Sequence, residues 1–105
     1  MNDTEQILNQ IRELLLSLNF KEVEIGGRTN YMLNNIYCVP QHINSLGFLI
    51  EYADSLEEAK KNWHEDGDCF PIVLGEKSIL SGIKEELMKE IFRFDTDKKA
   101  FQSAV

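Results

Sequence analysis

Hydrophobic positions near the N-terminus repeat at intervals of three and four residues. Such spacing places apolar side chains on one side of an α-helix, so the pattern predicts an amphipathic helix with one buried stripe. Asp3 or Thr4 can cap its start, and Asn19 suits its end because asparagine tolerates a left-handed backbone conformation. The residues of the stripe are Ile7, Leu8, Ile11, Leu14, Leu15 and Leu18.

After this helix the hydrophobic period shortens to two residues. Val23 and Ile25 alternate with glutamates, which predicts a half-buried strand. Gly26-Gly27 follows and predicts a turn, because glycine reaches positive φ at little steric cost. The chain therefore changes from helix to strand within its first quarter.

Two further strands are predicted before the middle of the chain. Residues 31–39 are rich in aromatic and β-branched side chains, and Asn34-Asn35 can bulge or split this second strand. Pro40 is expected to end it, because proline cannot donate a ladder hydrogen bond. Residues 41–45 are predicted as a loop, and residues 46–53 as a third strand. The side chains expected on one face of that strand are Phe48, Ile50 and Tyr52.

The second half of the chain predicts two helices separated by an acidic turn and an extended segment. Ser55 and Glu58 have the spacing of a capping box, which marks the start of a helix. Residues 65–68 are predicted as an acidic turn with Gly67 supplying an unusual backbone angle, and residues 69–74 as an edge strand. Gly82 is expected to weaken the last helix by about 1 kcal/mol relative to alanine. The buried stripe of that helix is Ile79, Leu80, Ile83, Leu87 and Ile91.

These elements predict one two-layer α+β domain that spans residues 1–105. Short loops make neighbouring strands antiparallel, so we expect a sheet of three to four antiparallel strands with the helices packed on one face. Residues 93–105 are polar apart from two phenylalanines and are predicted to form a frayed C-terminal tail.

The charge of the chain is unevenly distributed. The 105 residues carry a formal net charge of −7, and residues 51–68 contribute −5 of it. A localised acidic surface is suited to binding a basic protein, whereas nucleic acids and anionic lipids require clustered lysine and arginine. We therefore expect a basic protein partner, no nucleic acid and no membrane. The acids of this segment are Glu51, Asp54, Glu57, Glu58, Glu65, Asp66 and Asp68.

Targeting signals and cysteines predict a cytoplasmic location. No apolar run approaches the roughly 20 residues that span a bilayer, and the N-terminal residues lack the basic and apolar regions of a secretory signal. Cys38 and Cys69 are too few and too far apart for a disulfide framework. We expect both to be small buried thiols.

Candidate catalytic and metal-binding residues crowd together only at residues 64–69, His-Glu-Asp-Gly-Asp-Cys. The acids there lack the spacing of a calcium loop, and zinc would need further ligands from distant loops. A thiol beside Asp68 is expected to have a raised pKa, the opposite of what nucleophilic catalysis requires. No glycine-rich phosphate loop is present. The chain is thus predicted to be no enzyme and to hold no metal or cofactor.

Trp63 lies beside this acidic segment and has two readings. It shares a predicted helix face with Leu56 and Ala59, where it would anchor the helix to the core. Alternatively it is a half-exposed interface aromatic ringed by carboxylates, as binding hot spots often are. On the second reading, the predicted partner-binding residues are Glu57, Glu58, Trp63, Glu65, Asp66 and Asp68.

The small size, the acidity, the α-β-β-β-α order and the helix opening Ser55-Leu56-Glu57-Glu58-Ala59 resemble some immunity proteins of bacterial polymorphic-toxin systems. The resemblance covers about residues 5–65 and implies a non-enzymatic inhibitor that occludes a cognate toxin, often a basic nuclease. It assigns no specific functional residue. Two alternatives stay open: a small-molecule or metal-binding domain, and a structural homodimer that uses a strand edge such as residues 70–74.

Overall fold

The chain folds into a five-stranded antiparallel sheet with helices, as described by a computed structural model for residues 3–44 and 46–103. The predicted α+β class is confirmed. Side chains are described for residues 4–44 and 46–93. In chain order the elements are α1 (Asp3–Ser17), β1 (Lys21–Ile25), β2 (Arg28–Leu33), β3 (Ile36–Ile43), β4 (Gly47–Ala53), α2 (Leu56–Lys60), β5 (Glu65–Asp66) and α3 (Glu76–Ser103), with a 3-10 turn at Ile72–Leu74.

The sheet is a meander in which every strand pairs with the next, in the order β1-β2-β3-β4-β5. It has five strands where the sequence predicted three to four. One additional strand arises because Asn34-Asn35 splits the predicted second strand, one of the two alternatives from the sequence; the chain turns back there, and Asn34 adopts a φ of 56°. The other is β5, which pairs Glu65 with Tyr52 and Asp66 with Glu51. The predicted acidic turn is therefore partly an edge strand.

Pro40 lies inside β3 and pairs with Ile50, so the prediction that it ends the strand is wrong. The reason is that pairing on the β2 side of the strand is incomplete. β2 pairs with β3 only from the turn to the pair Tyr31–Cys38, and at Pro40 this side of β3 has no strand partner. Proline is tolerated at such an edge because no ladder hydrogen bond is lost. β3 continues to Ile43, so most of the predicted loop is strand.

The main core lies between one face of the sheet and the helices α1 and α3. The predicted faces of β4, α1 and α3 are confirmed, since their central side chains have no exposed surface and the flanking ones pack against them. Burial of these aliphatic and aromatic groups is the main stabilising contribution to the fold. The fully buried side chains of this core are Ile11, Leu15, Cys38, Phe48, Ile50, Ile79, Ile83 and Leu87.

Helix α2 lies against the opposite face of the sheet, so the prediction that all helices cover one face is wrong. Its buried residue Ala59 packs with Ile25, Tyr37 and Ala53 in a second, smaller cluster. A five-residue helix can cover only a corner of the sheet, and alternation along a strand does not tell which face each helix takes. The second cluster therefore could not be assigned from the sequence.

Asparagine ends both of the first two helices. Asn19 and Asn62 have φ values of 75° and 58°, which confirms the left-handed end predicted for α1. In each case the N–H of the following residue reaches back to a carbonyl one turn earlier: Phe20 to Leu15 at 3.1 Å, and Trp63 to Glu58 at 2.9 Å. These bonds form Schellman motifs, which satisfy carbonyls at the helix end.

The segment before α3 is a single bridge followed by a 3-10 turn, so the edge strand predicted at residues 69–74 is wrong. Phe70 exchanges both backbone hydrogen bonds with Phe48, at 2.7 and 2.9 Å, and its ring packs on the core. The following Ile72–Leu74 turn is exposed. Self-association through this segment as a strand edge loses its structural basis, while the oligomeric state itself stays a prediction.

Helix α3 runs through Ser103 and so includes most of the segment predicted as a frayed tail, residues 93–105. Fraying itself stays a prediction, and residues 104 and 105 lie outside the described part of the chain. Across the described residues, every helix is too short or too polar to cross a bilayer.

Candidate functional site

A groove of about 390 Å³ lies between α3 and the edge of the sheet formed by β4 and β5. Its uncharged lining comes from Tyr52, Gly67, Phe70 and Gly82. Carboxylates dominate the rest of the lining, with Lys89 and Arg93 as its two cations. We call this feature the acidic groove; its carboxylates belong to Asp54, Glu65, Asp66, Asp68, Glu85, Glu86 and Glu90.

Gly67 allows the two walls of the acidic groove to meet. Its N–H donates to the carbonyl of Ile50 at 2.8 Å, which holds the segment after β5 against β4. A Cβ at this position would overlap the Glu86 carboxylate and approach the Tyr52 ring to 2.8 Å. Gly67 does not have a positive φ, so the predicted unusual backbone angle is wrong. Close approach of neighbouring atoms explains this glycine.

Glu86 is the central carboxylate of the acidic groove. Its Oε2 accepts a hydrogen bond from the Tyr52 hydroxyl at 2.5 Å, and its Oε1 accepts one from the Asp68 backbone N–H at 2.6 Å. Burial raises the pKa of Glu86, and the nearby charges of Asp68 and Glu90 raise it further against the effect of the two donors. Burial and the bond to Glu86 also raise the pKa of Tyr52. Glu86 is thus a fixed, partly desolvated acceptor.

The rim of the acidic groove is exposed to solvent and consists mainly of carboxylates. Glu65, Asp66 and Asp68 are all exposed to solvent, so their carboxylates are free to meet an approaching partner. Glu90 accepts a hydrogen bond from Arg93 at 2.8 Å, one helical turn away. Exposed ion pairs of this kind contribute little to stability. The rim therefore keeps a strong excess of negative charge.

The predicted partner-binding residues fall on two surfaces. Glu65, Asp66 and Asp68 line the acidic groove, whereas Glu57 lies on α2 and Trp63 on the exposed segment that follows it. The two surfaces meet at Asp54, which lines the groove and whose N–H donates to the Glu58 carboxylate at 3.4 Å. The capping box is thus confirmed in its first half, Ser55 accepting from the Glu58 N–H at 3.1 Å, while Glu58 reaches Asp54.

Trp63 is 63% exposed and does not anchor α2 to the core. The helix ends at Lys60, so Trp63 lies beyond the left-handed residue Asn62, and the periodicity that placed it on the apolar face no longer applies. The Lys61 ammonium lies 4.5 Å from the centre of the indole ring, a cation–π contact. An exposed tryptophan next to carboxylates is the second of the two readings made from the sequence, although no binding role follows from exposure alone.

His64 is held by the sheet. Its Nε2 lies 2.8 Å from Oδ1 of the fully buried Asn30, whose Nδ2 donates to the Arg28 carbonyl at 3.2 Å. Because that amide oxygen is an acceptor, Nε2 must be the protonated ring nitrogen. Burial, followed by the positive charge of Arg28, lowers the pKa of His64. The histidine therefore ties the start of β5 to β2 as a neutral ring.

The same face of the sheet carries an ion pair that spans three strands. The Arg28 guanidinium pairs with the Glu51 carboxylate, which also accepts from Gln41 Nε2 at 3.2 Å. Glu51, one of the acids of the 51–68 segment, is therefore neutralised and turned away from the acidic groove. The unneutralised negative charge of that segment therefore lies on its other acids.

The two cysteines have different environments, so the expectation of two buried thiols is wrong for one of them. Cys38 is fully buried, and burial raises its pKa; Cys69 is exposed. No hydrogen bond joins either thiol to a histidine within the described residues. Among the side chains that the structure describes, no three His, Cys, Asp or Glu residues are placed to hold a metal ion.

The carboxylates that α3 contributes were missed in the sequence analysis. Glu85, Glu86 and Glu90 lie outside the acidic 51–68 segment, and only the fold brings them beside it. A signal was present: Glu86 and Glu90 are four residues apart next to the buried Ile83 and Leu87, and like charges at that spacing destabilise a helix. Such an arrangement indicates that negative charge is concentrated on one face of the helix, beside its buried stripe.

Comparison of this chain with models of protein families, with curated proteins and with solved structures gives no match.

Proposed function

We propose that this chain is a non-enzymatic protein-binding domain that holds a basic segment of a partner protein in the acidic groove. The observation that carries the proposal is the groove itself, where seven carboxylates and only two cations line about 390 Å³. The net charge of −7 extends the same field over the molecule and would steer a basic partner toward it.

Carboxylates at the rim and at the floor of the acidic groove would contribute differently to the binding of a partner. Exposed carboxylates such as Glu65 and Asp66 would act mainly on the association rate, because they are solvated and screened by salt. Glu86 is half-buried and fixed by two donors, so a lysine or arginine paired with it would be desolvated and would contribute more to affinity. Tyr52 and Phe70 provide apolar surface for the methylene stem of such a side chain.

An immunity-type inhibitor is the form of this function that the sequence resemblance suggests. Such a protein would need an acidic surface that is open to a basic toxin, and the exposed carboxylates around Glu86, which two hydrogen bonds hold in place, support this. Glu57 on α2 and the exposed Trp63 after that helix continue the surface beyond Asp54 and would widen the contact area. The identity of the partner and the inhibition of a toxin are part of the proposal.

The test compares equal charge reversals at the two opposite edges of the sheet. One variant carries E65K and D66K on β5, and its control carries E22K and E24K on β1; all four residues are exposed. Proteins captured from the native host by the immobilised wild-type chain are identified at low salt. Association of each with the wild type and both variants is then measured by surface plasmon resonance over a range of salt concentrations.

We expect the β5 reversals to slow association about tenfold or more and to flatten its salt dependence, because the steering field is strongest at the acidic groove. The β1 reversals should have a clearly smaller effect. Equal effects of both pairs would mean that only net charge matters and that the groove is no binding site. If neither pair changes association, the acidity serves solubility and the proposal is wrong.

A further inference from the structure

A second cavity, of about 480 Å³, opens inside the sheet where β2 and β3 separate. The separation follows from Pro40. The two-residue turn after Leu33 makes Leu33–Ile36 a hydrogen-bonded pair, so Ile36, Cys38 and Pro40 direct their backbone groups toward β2. Pro40 has no N–H to offer there, and pairing ends at Cys38. The gap is thus built into the strand by one residue.

The cavity is lined by groups that donate hydrogen bonds. Arg12 reaches it from α1, and Arg28, Thr29 and Tyr31 reach it from β2, with Pro40 opposite. It shares no lining residue with the acidic groove. Two guanidinium groups at one cavity are unexpected in a protein whose net charge is −7.

Tyr31 is the most informative lining residue. As a whole residue it is only 3% exposed, but its hydroxyl is open to the cavity and forms no hydrogen bond within the described part of the chain. The hydroxyl can therefore donate to a ligand in the cavity without giving up a bond to the protein. Arg12 adds to this: it donates to the neighbouring Asn9 at 2.6 Å but forms no ion pair with any carboxylate among the described side chains.

We infer that this cavity binds a small molecule through an oxyanion group, a carboxylate or a phosphate. The Arg12 guanidinium and the Tyr31 hydroxyl supply the direct hydrogen bonds, because neither is bonded to a carboxylate among the described side chains. Arg28 contributes less, since Glu51 already neutralises it. Glu22 also lines the cavity and limits how much negative charge it accepts. The site is independent of the proposed protein-binding function.

The inference is tested by titrating the ¹⁵N-labelled protein with acetate and, separately, with inorganic phosphate, against sodium chloride at equal ionic strength. Binding should shift the amide signals of Thr29, Tyr31 and Gln41 with a dissociation constant of about 1 mM or weaker, as expected for such small ligands. Saturating shifts with either anion support the site and tell which group it prefers. Shifts that chloride reproduces, or no local shifts with either anion, would overturn it.

Two variants and a control decide whether the named groups are responsible. R12Q should weaken binding of the anion about tenfold, and Y31F by a factor of about three to ten, since each removes one donor to a charged acceptor. Y31F removes a hydroxyl without a partner, so its thermal stability should stay unchanged and the test survives even if R12Q folds poorly. R93Q, on the distant acidic groove, is the matched control and should bind as the wild type does. Wild-type affinity in Y31F and R12Q would refute the inference.

Discussion

Glu86 combines two properties that are seldom found in one surface carboxylate. It accepts two short hydrogen bonds, from Tyr52 and from the Asp68 N–H, and it is nevertheless pushed toward its neutral form by burial and by neighbouring acids. The donors favour the ionised form, while burial, Asp68 and Glu90 oppose it. Because the balance lies on the side of a raised pKa, ionisation of Glu86 costs the folded state free energy.

This residue predicts a particular pH dependence of stability. A carboxyl whose pKa is higher in the folded than in the unfolded chain binds its proton more tightly in the folded state, so its ionisation lowers stability as pH rises above 4.5, its ordinary value. We expect the free energy of unfolding of the wild type, relative to E86Q, to fall as pH rises through that window. Urea melts of both proteins between pH 4 and pH 7 measure the difference.

E85Q is the control for this prediction, because it removes the same charge from an exposed neighbour on the same helix. Contributions of groups that do not interact with the substituted residue cancel in each difference curve. A difference curve for E86Q that is flat, that rises with pH, or that coincides with the one for E85Q would contradict the assignment of the burial effect to Glu86.

At the scale of elements, the contact between α3 and the segment before it depends on the absence of one side chain. Gly82 lies in the interior of α3, where the sequence analysis treated it as a weakness of the helix. The structure gives its reason: the Phe70 ring packs directly on the helix backbone, and a Cβ at Gly82 would overlap that ring. Phe70 is in turn held by its backbone bridge to Phe48 and cannot move away freely.

We therefore expect G82A to destabilise the protein, by about 1–3 kcal/mol, because overpacking outweighs the helix propensity of about 1 kcal/mol that alanine gains over glycine. S81A, at the exposed neighbouring position, tests propensity alone and should change stability by no more than about 0.5 kcal/mol. Chemical denaturation of both variants checks this. An increase in stability for G82A would show that Phe70 yields to the added methyl group.

The limits of sequence-based prediction also appear at the level of elements. The 3.6-residue repeat predicted the buried stripes of α1 and α3 because a long amphipathic helix has many positions that agree. Pro40 was misread, and the packing role of Gly82 was missed, because both depend on other elements: the point where β2 separates from β3, and the Phe70 ring. Half of the acidic groove was predicted, from the acids around β5. The acids of α3 could not be joined to them, because only tertiary packing brings them there.

At the scale of the whole molecule, the acidity is concentrated at one edge of the sheet. The acidic groove gathers seven carboxylates around the β4–β5 edge, whereas the β2–β3 cavity holds two arginines. Like charges brought together by folding repel one another, and added salt screens this repulsion. The folded protein thus carries an electrostatic cost that is largest at the surface proposed to meet a partner.

We expect the melting temperature of the wild type at pH 7 to rise as sodium chloride increases from 10 to 200 mM. E65K with D66K should raise the melting temperature at low salt and reduce its salt dependence, because it relieves repulsion at the acidic groove. E22K with E24K makes the same change of net charge at the opposite edge and should do so less. Identical curves for the two variants would show that the repulsion is not localised.

The order of the strands also determines which step of folding carries the largest entropy cost of loop closure. Each strand is joined to the preceding one, with which it pairs, by a short connection, except β5, which is separated from β4 by helix α2. Closing such short loops costs little entropy, and topologies rich in local pairings fold quickly. The largest loop closure is the docking of α1 against α3, because these two helices lie far apart in the sequence. The sheet can therefore form strand by strand, whereas the main core is completed only when α1 packs against α3.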